Sequence, residues 1–266
     1  MVDIADRARA AVTERSELPG MSLLEHLEEL RRRLVRSAIA LVIGFFIAYY
    51  FHDRIFGFMQ APIIGALKKN HLDTQLIIHN PIDGFNMYLK ISFMVGCIIA
   101  SPYILYQIWL FISPGLYHHE KRWVTPFMIG TVGLFLAGAF FGYRYVFPGS
   151  LDFLFVYSKQ FKPLIEINEY TDLFTTVILG LGATFELPIL VMFLSLFGIV
   201  SPKFLWKNIR YAIMIIFIIA AIITPTPDPL TMFVFASPML FLYLVSIGVS
   251  FLVHPARRRR KAAAAA

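Results

Sequence analysis

At 266 residues, 58% of them hydrophobic and only 15% charged, the chain is far more apolar than a water-soluble domain of its length needs to be. Its formal charge of +7 is not a nucleic-acid footprint, because the basic residues sit beside apolar runs instead of lining one polar region. The single cysteine, Cys97, falls inside an apolar run, which excludes a disulfide framework or a Cys-based metal site within one copy.

Residues 1–21 read as a disordered tail. Ser22-Leu23-Leu24-Glu25 then has the form of a capping box, in which the Ser hydroxyl and the Glu three residues on satisfy free backbone donors, so a helix should start there. Leu23, Leu24, Leu27, Leu30 and Leu34 recur at helical spacing, with Glu25, His26, Glu28, Glu29 and Arg31 to Arg33 on the other face. This predicts an amphipathic segment lying on the inner membrane surface before the chain turns inward. Its acids admit two readings: i, i+4 pairs with Arg32 and Arg33 on a solvated face, or an anionic site for a cationic partner.

A bilayer core of about 30 Å needs roughly 20 apolar residues of helix, since hydrocarbon cannot satisfy free backbone groups. Six segments approach this: Leu34–Phe51, Ile91–Ile112, Trp123–Phe147, Leu173–Gly198, Tyr211–Ile223 and Leu230–Val253. The first follows Arg31-Arg32-Arg33 but lacks a small-residue cleavage site, so it is expected to remain as a helix. Between the first and second, His52 to Lys90 carries helix-like apolar patterns, as does Pro148 to Asp172 later, and both are expected to form a structured outer cap. Between the second and third, Ser113 to Arg122 holds a single acid, Glu120, among His118, His119, Lys121 and Arg122. That acid is either a local ion pair or a second anionic site.

Glu186 falls at the midpoint of the fourth run, where a carboxylate costs about 2.5–3.5 kcal/mol or more. It must be protonated, paired or facing a wet cavity, and Pro188 two residues on should kink the helix. The fifth run is too short for a full crossing and is stopped by Thr224-Pro225-Thr226-Pro227-Asp228-Pro229. The sixth leads into a basic tail, 255–266, which ends in the low-complexity stretch Ala262–Ala266.

Cytoplasmic loops carry the Lys and Arg excess. With the N-terminus inside, 17 of the 24 Lys and Arg residues fall on the inner side. The expectation is one all-α membrane domain, 22–254, with six transmembrane helices and both termini cytoplasmic. No zinc-protease helix, nucleophile elbow, phosphate loop or internal repeat is present in the sequence, so no enzyme, no cofactor and no metal are expected.

His26-Leu27-Glu28-Glu29-Leu30-Arg31-Arg32-Arg33-Leu34 followed by six spans resembles TatC, the large subunit of the twin-arginine protein translocase. Further blocks are similar to TatC motifs in the same order: Gln60-Ala61-Pro62, the run Ser101 to Trp109, Phe111 to Tyr117 with His119-Glu120-Lys121-Arg122, Phe185-Glu186-Leu187-Pro188, and Thr224 to Pro229. The resemblance covers Ser22 to about Val253. It implies a receptor in a bacterial cytoplasmic membrane for folded proteins whose signal peptides carry paired arginines, with transport driven by the proton-motive force. It implies that Glu29 and Glu120 bind the arginines, that Arg31, Phe111 and Arg122 shape the site, and that Glu186 lies on the concave side of a glove-like assembly. Pro62 and Asp228 match outer positions needed for export. The partners implied are TatA/TatB-type single-span subunits, docking near the short fifth span, membrane lipid, and further copies in a receptor complex, with no nucleic acid. Two departures stand out: Met232 replaces the Gln often found four residues after the Asp, and the sixth apolar run is longer than the family's. The alternative reading is a proton-coupled small-solute transporter using Glu186.

Overall fold

The computed structural model describes residues 23–112, 124–157, 161, 163–196, 198–224 and 229–253. Among these the chain is helical, its one extended feature being an isolated parallel bridge between Ile77 and Glu166. The helices are α1 (Leu23–Tyr50), α2 (His52–Lys69), α3 (Asp83–Ile112), α4 (Val124–Phe141), α5 (Phe147–Tyr157), α6 (Ile167–Thr184), α7 (Leu187–Leu196), α8 (Pro202–Lys207), α9 (Ile209–Ile223) and α10 (Pro229–Val253). A π-helical turn, Gly142–Val146, joins α4 to α5 into one continuous rod.

Five stretches are long and apolar enough to cross a bilayer: Leu24–Tyr50, Asp83–Phe111, Met128–Val156, Ile167–Leu196 and Met232–Leu252. The sixth, α9, has 15 residues, about 22 Å of helix. The six-helix membrane architecture expected from hydropathy is therefore present, short fifth member included. The expected surface segment is not. Leu23 to Leu34 does not lie apart and turn; it is the first part of a single 28-residue helix. No Pro or Gly interrupts the helix between Leu23 and Gly44, so nothing supplies a bend.

α1 lies antiparallel on α3, the most extensive helix pair in the structure. The two backbones touch: a Cβ on Gly44 would sit 2.7 Å from the Gly96 carbonyl oxygen, and one on Gly96 only 2.8 Å from the Phe45 amide nitrogen. In a membrane, where lipid is as apolar as leucine, such close backbone approach is a main source of helix association.

The core is lopsided. Its large cluster joins Met59, Ile63 and Leu67 of α2 to Ile91 of α3, Phe147 of α5 and Phe174 of α6 at one end of the bundle. The other end holds only small groups, such as Trp109 with Met192 and Phe193. The well-packed end is a structured cap built from the two long loops, and polar contacts lace it together. Ile77 N–H donates to the Ile165 carbonyl at 2.9 Å, and Ile167 N–H to that of Ile77 at 3.0 Å. Lys69 pairs with Asp152 at 2.7 Å, Lys90 with Asp172 at 2.6 Å, and His79 lies 3.1 Å from Glu166.

Among the described residues, α2, α3 and α10 each contain a proline well inside the helix, which deprives the carbonyl four residues earlier of its N–H donor. In α3, Pro102 frees the Ile98 carbonyl, and the hydroxyl of Ser101 donates to it at 2.8 Å. In α10, Pro238 frees Val234, and Ser237 donates to it at 3.0 Å. In α2, Pro62 frees Phe58, and the donor comes from another helix, the Tyr143 hydroxyl at 3.1 Å. The Ser-Pro pairs thus carry their own repair. Ser101→Ala should destabilise the folded protein by about 1–3 kcal/mol, the cost of an unsatisfied carbonyl in a water-poor setting. Thermal unfolding in detergent reads this directly, and an unaltered transition would refute the assignment.

Candidate functional site

Two consecutive acids on α1, Glu28 and Glu29, differ in surroundings because they lie 100° apart on the helix. Glu28 and Arg32 form a loose pair at 3.7 Å with side chains 72% and 63% exposed. Glu29 and Arg33 face α3 and are only 16% and 19% exposed, with Arg33 Nη2 donating to Glu29 Oε1 at 2.8 Å. Arg33 Nη1 reaches across to Gln107 Oε1 of α3 at 3.1 Å, and Gln107 is itself buried. One turn further along the same face, the His26 ring stacks on Phe111 with centroids 4.4 Å apart. His26, Glu29 and Arg33 at i, i+3 and i+7 therefore meet Gln107 and Phe111 at i and i+4.

This pairing leaves the site unfinished. Glu29 Oε2 and Arg33 Nε are both buried and have no hydrogen-bond partner among the described residues. An ionised carboxylate with one oxygen held and one free is an acceptor awaiting a donor. A guanidinium, planar and forked, fits such an acceptor better than an ammonium does.

Of the predicted residues, Glu29 and Phe111 thus come to one place. Arg31 does not join them; it is exposed, two residues and about 200° round the helix from Glu29. Glu120 and Arg122 lie outside the described residues, in the segment that follows α3, as does Asp228 between α9 and α10. His26, Arg33 and Gln107 complete the cluster without having been singled out. Their signal was available in part: Arg33 was recognised as the i+4 partner of Glu29, while Gln107 required knowing which face of α3 meets α1.

Glu186 sits elsewhere, at a break between α6 and α7. The helix stops at Thr184 and restarts at Leu187, so the interruption falls at Phe185-Glu186, ahead of Pro188. Gly138 of α4 sets the geometry, since a Cβ there would meet the Leu181 carbonyl oxygen at 2.7 Å and the Phe185 ring at 2.8 Å. Glu186 Oε1 is buried with no hydrogen-bond partner among the described residues. Pro62 lies mid-helix in α2, at the capped end. Among the described residues no group of three or more His, Cys, Asp or Glu side chains could hold a metal ion.

Residues 25–238 match the family described as Sec-independent protein translocase protein (TatC). The TatC protein of Koribacter versatilis is 56% identical over 260 residues, which cover 98% of this chain and 95% of that protein. The TatC protein of Aquifex aeolicus is 40% identical over 244 residues, covering 91% of this chain and 98% of that protein. The crystal structure of a twin-arginine translocase receptor, TatC, superposes with a TM-score of 0.78 at 39% identity, covering 86% of this chain and 99% of that one. These likenesses place the molecule with protein translocation, not with solute carriage or with enzymes. The chain belongs to the TatC family, membrane-embedded components of the Sec-independent protein translocase.

Proposed function

We propose that the chain is the receptor subunit that binds the paired arginines of twin-arginine signal peptides at the end of the bundle carrying Glu29. The observation that supports this is the half-satisfied Glu29 carboxylate, held by Arg33, which Gln107 anchors in turn, with Oε2 unbonded among the described residues. One incoming guanidinium would take Oε2. The charge balance then calls for a second acid, since Arg33 and two peptide arginines face one carboxylate. Glu120, nine residues after Phe111 in the sequence, would supply it, with Arg122 close by in sequence.

The positive-inside distribution of Lys and Arg supports placing this end, and both termini, in the cytoplasm of a bacterium. The capped end, with Pro62, and the segment 225–228, which holds Asp228, would then face outward. Five of the eight residues from Tyr211 to Ile218 are exposed on α9, only Ile216 and Ala220 of that helix being buried, which suits docking of single-span TatA/TatB-type subunits. Glu186, at a helix break, would sit where the signal's apolar segment enters, and the complex would use the proton-motive force for export.

The test compares binding of a signal peptide with its Arg-Arg pair and the same peptide carrying Lys-Lys, to the purified full chain in nanodiscs. The arginine peptide should bind roughly tenfold or more tightly, because lysine cannot make the forked contact. Equal binding would overturn the proposal.

A further inference from the structure

Two cavities at the capped end meet at Tyr143. The first, about 220 Å³, is walled by Phe58 and Met59 of α2, Met94 and Ile98 of α3, Phe140 of α4 and Ile178 of α6, and Tyr143 is its one polar residue. The second, about 460 Å³, is lined by Pro62, Gly65 and Lys69 of α2 together with Arg144, Pro148 and Asp152. Tyr143 lines both, its ring stacked on Phe58 with centroids 4.1 Å apart. The π-helical turn puts Tyr143 and Arg144 side by side there; turns of this kind cluster at functional positions.

The depth of these cavities is set by the rod they share. Arg144 lies 20 residues beyond Val124 (144 − 124), about 30 Å of helix and so one hydrocarbon thickness from the opposite end. That puts Arg144 at headgroup level. Leu136, on the wall of the apolar cavity, is eight residues earlier, about 12 Å deeper in the hydrocarbon. The charges are unbalanced as well. Lys69 is matched by Asp152 at 2.7 Å, whereas Arg144 is exposed and makes no ion pair among the described residues. Its guanidinium lies 5.9 Å from the Tyr145 ring centroid.

We propose that the two cavities form one binding site for an anionic phospholipid of the leaflet at the capped end. The phosphate sits at Arg144, and one acyl chain passes Tyr143 into the apolar cavity among α2, α3, α4 and α6. A soluble anion would leave the apolar cavity unfilled. A zwitterionic lipid would bring its own cation to a place that already has one too many. The bound lipid would buttress Tyr143, whose hydroxyl holds the carbonyl freed by Pro62.

Native mass spectrometry of the full chain, released from detergent with equal amounts of phosphatidylglycerol and phosphatidylcholine of the same acyl chains, tests this. The wild-type chain should retain the glycerol lipid about fivefold more, the preference one basic residue gives at a membrane surface. Arg144→Gln should bring the ratio close to one and Arg144→Lys should keep most of it; Arg144 is exposed, and unchanged gel-filtration elution verifies that each variant is folded. Equal retention by the wild type, or an undiminished preference in Arg144→Gln, would overturn the site. Displacement of phosphatidylglycerol by equimolar glycerol 1-phosphate would overturn the lipid as its occupant.

Discussion

Glu29→Gln is expected to weaken binding of an Arg-Arg signal peptide by roughly tenfold to a hundredfold, the loss of one charge-assisted hydrogen bond of about 1.5–3 kcal/mol. The substitution is nearly isosteric, and the new amide oxygen can still accept from Arg33, so the contact between α1 and α3 survives and the protein should elute and unfold as the wild type does. What disappears is the negative charge between Arg33 and the incoming pair. Glu28→Gln is the internal control. Glu28 is 72% exposed and its pair with Arg32 spans 3.7 Å, so its loss should change binding by less than about threefold. Equal effects of the two substitutions, measured by fluorescence anisotropy of a labelled peptide, would mean that α1 attracts the signal only through its overall charge.

Gly96→Leu should have the largest effect on the fold. Even the Cβ of the new residue would come within 2.8 Å of the Phe45 amide nitrogen and 2.9 Å of its Cα, both backbone atoms that cannot swing aside. Overpacking of this kind costs about 1–3 kcal/mol where side chains can adjust, and more where backbones must part. α1 has few contacts besides those with α3, so parting the two would free it from the bundle. The expected result is a shift to aggregated or proteolysed material, with rapid trypsin cleavage at Arg31 to Arg33. Gly133→Ala serves as the comparison: nothing lies within 4 Å of its Cβ, and the change should be neutral or stabilising by about 0.5–1 kcal/mol. Intact, monodisperse Gly96→Leu protein would show that the two glycines are not what holds α1.

Hydropathy made the spans legible because hydrocarbon imposes a length and a composition that few other environments demand. The deficiency of the fifth was equally readable, since a run of prolines stops it. The continuity of α1 was not, because charge on one face resembles an interfacial helix whether or not the chain turns after it. Glu28 and Glu29 are alike in sequence, and only the crossing of α1 with α3 makes one a surface acid and the other a confined one. Glu186 was found by its cost in an apolar run, and the break beside it falls where Pro188 led one to expect a kink, but the close approach of Gly138 to Phe185 from another helix was not readable. Contacts of that range leave no trace in local pattern. Gln107 shows the same limit, as an unremarkable amide until its neighbour is known.

The three interior prolines divide according to when their carbonyls can be satisfied. Ser101 and Ser237 belong to the same turns as Pro102 and Pro238, so α3 and α10 are complete as single helices and can enter the bilayer one at a time during synthesis. α2 cannot finish this way. Its Phe58 carbonyl waits for Tyr143, which is made 85 residues later. The cap is therefore a late structure, closing only once the third crossing has been threaded, and until then α2 must stay near the water that satisfies it.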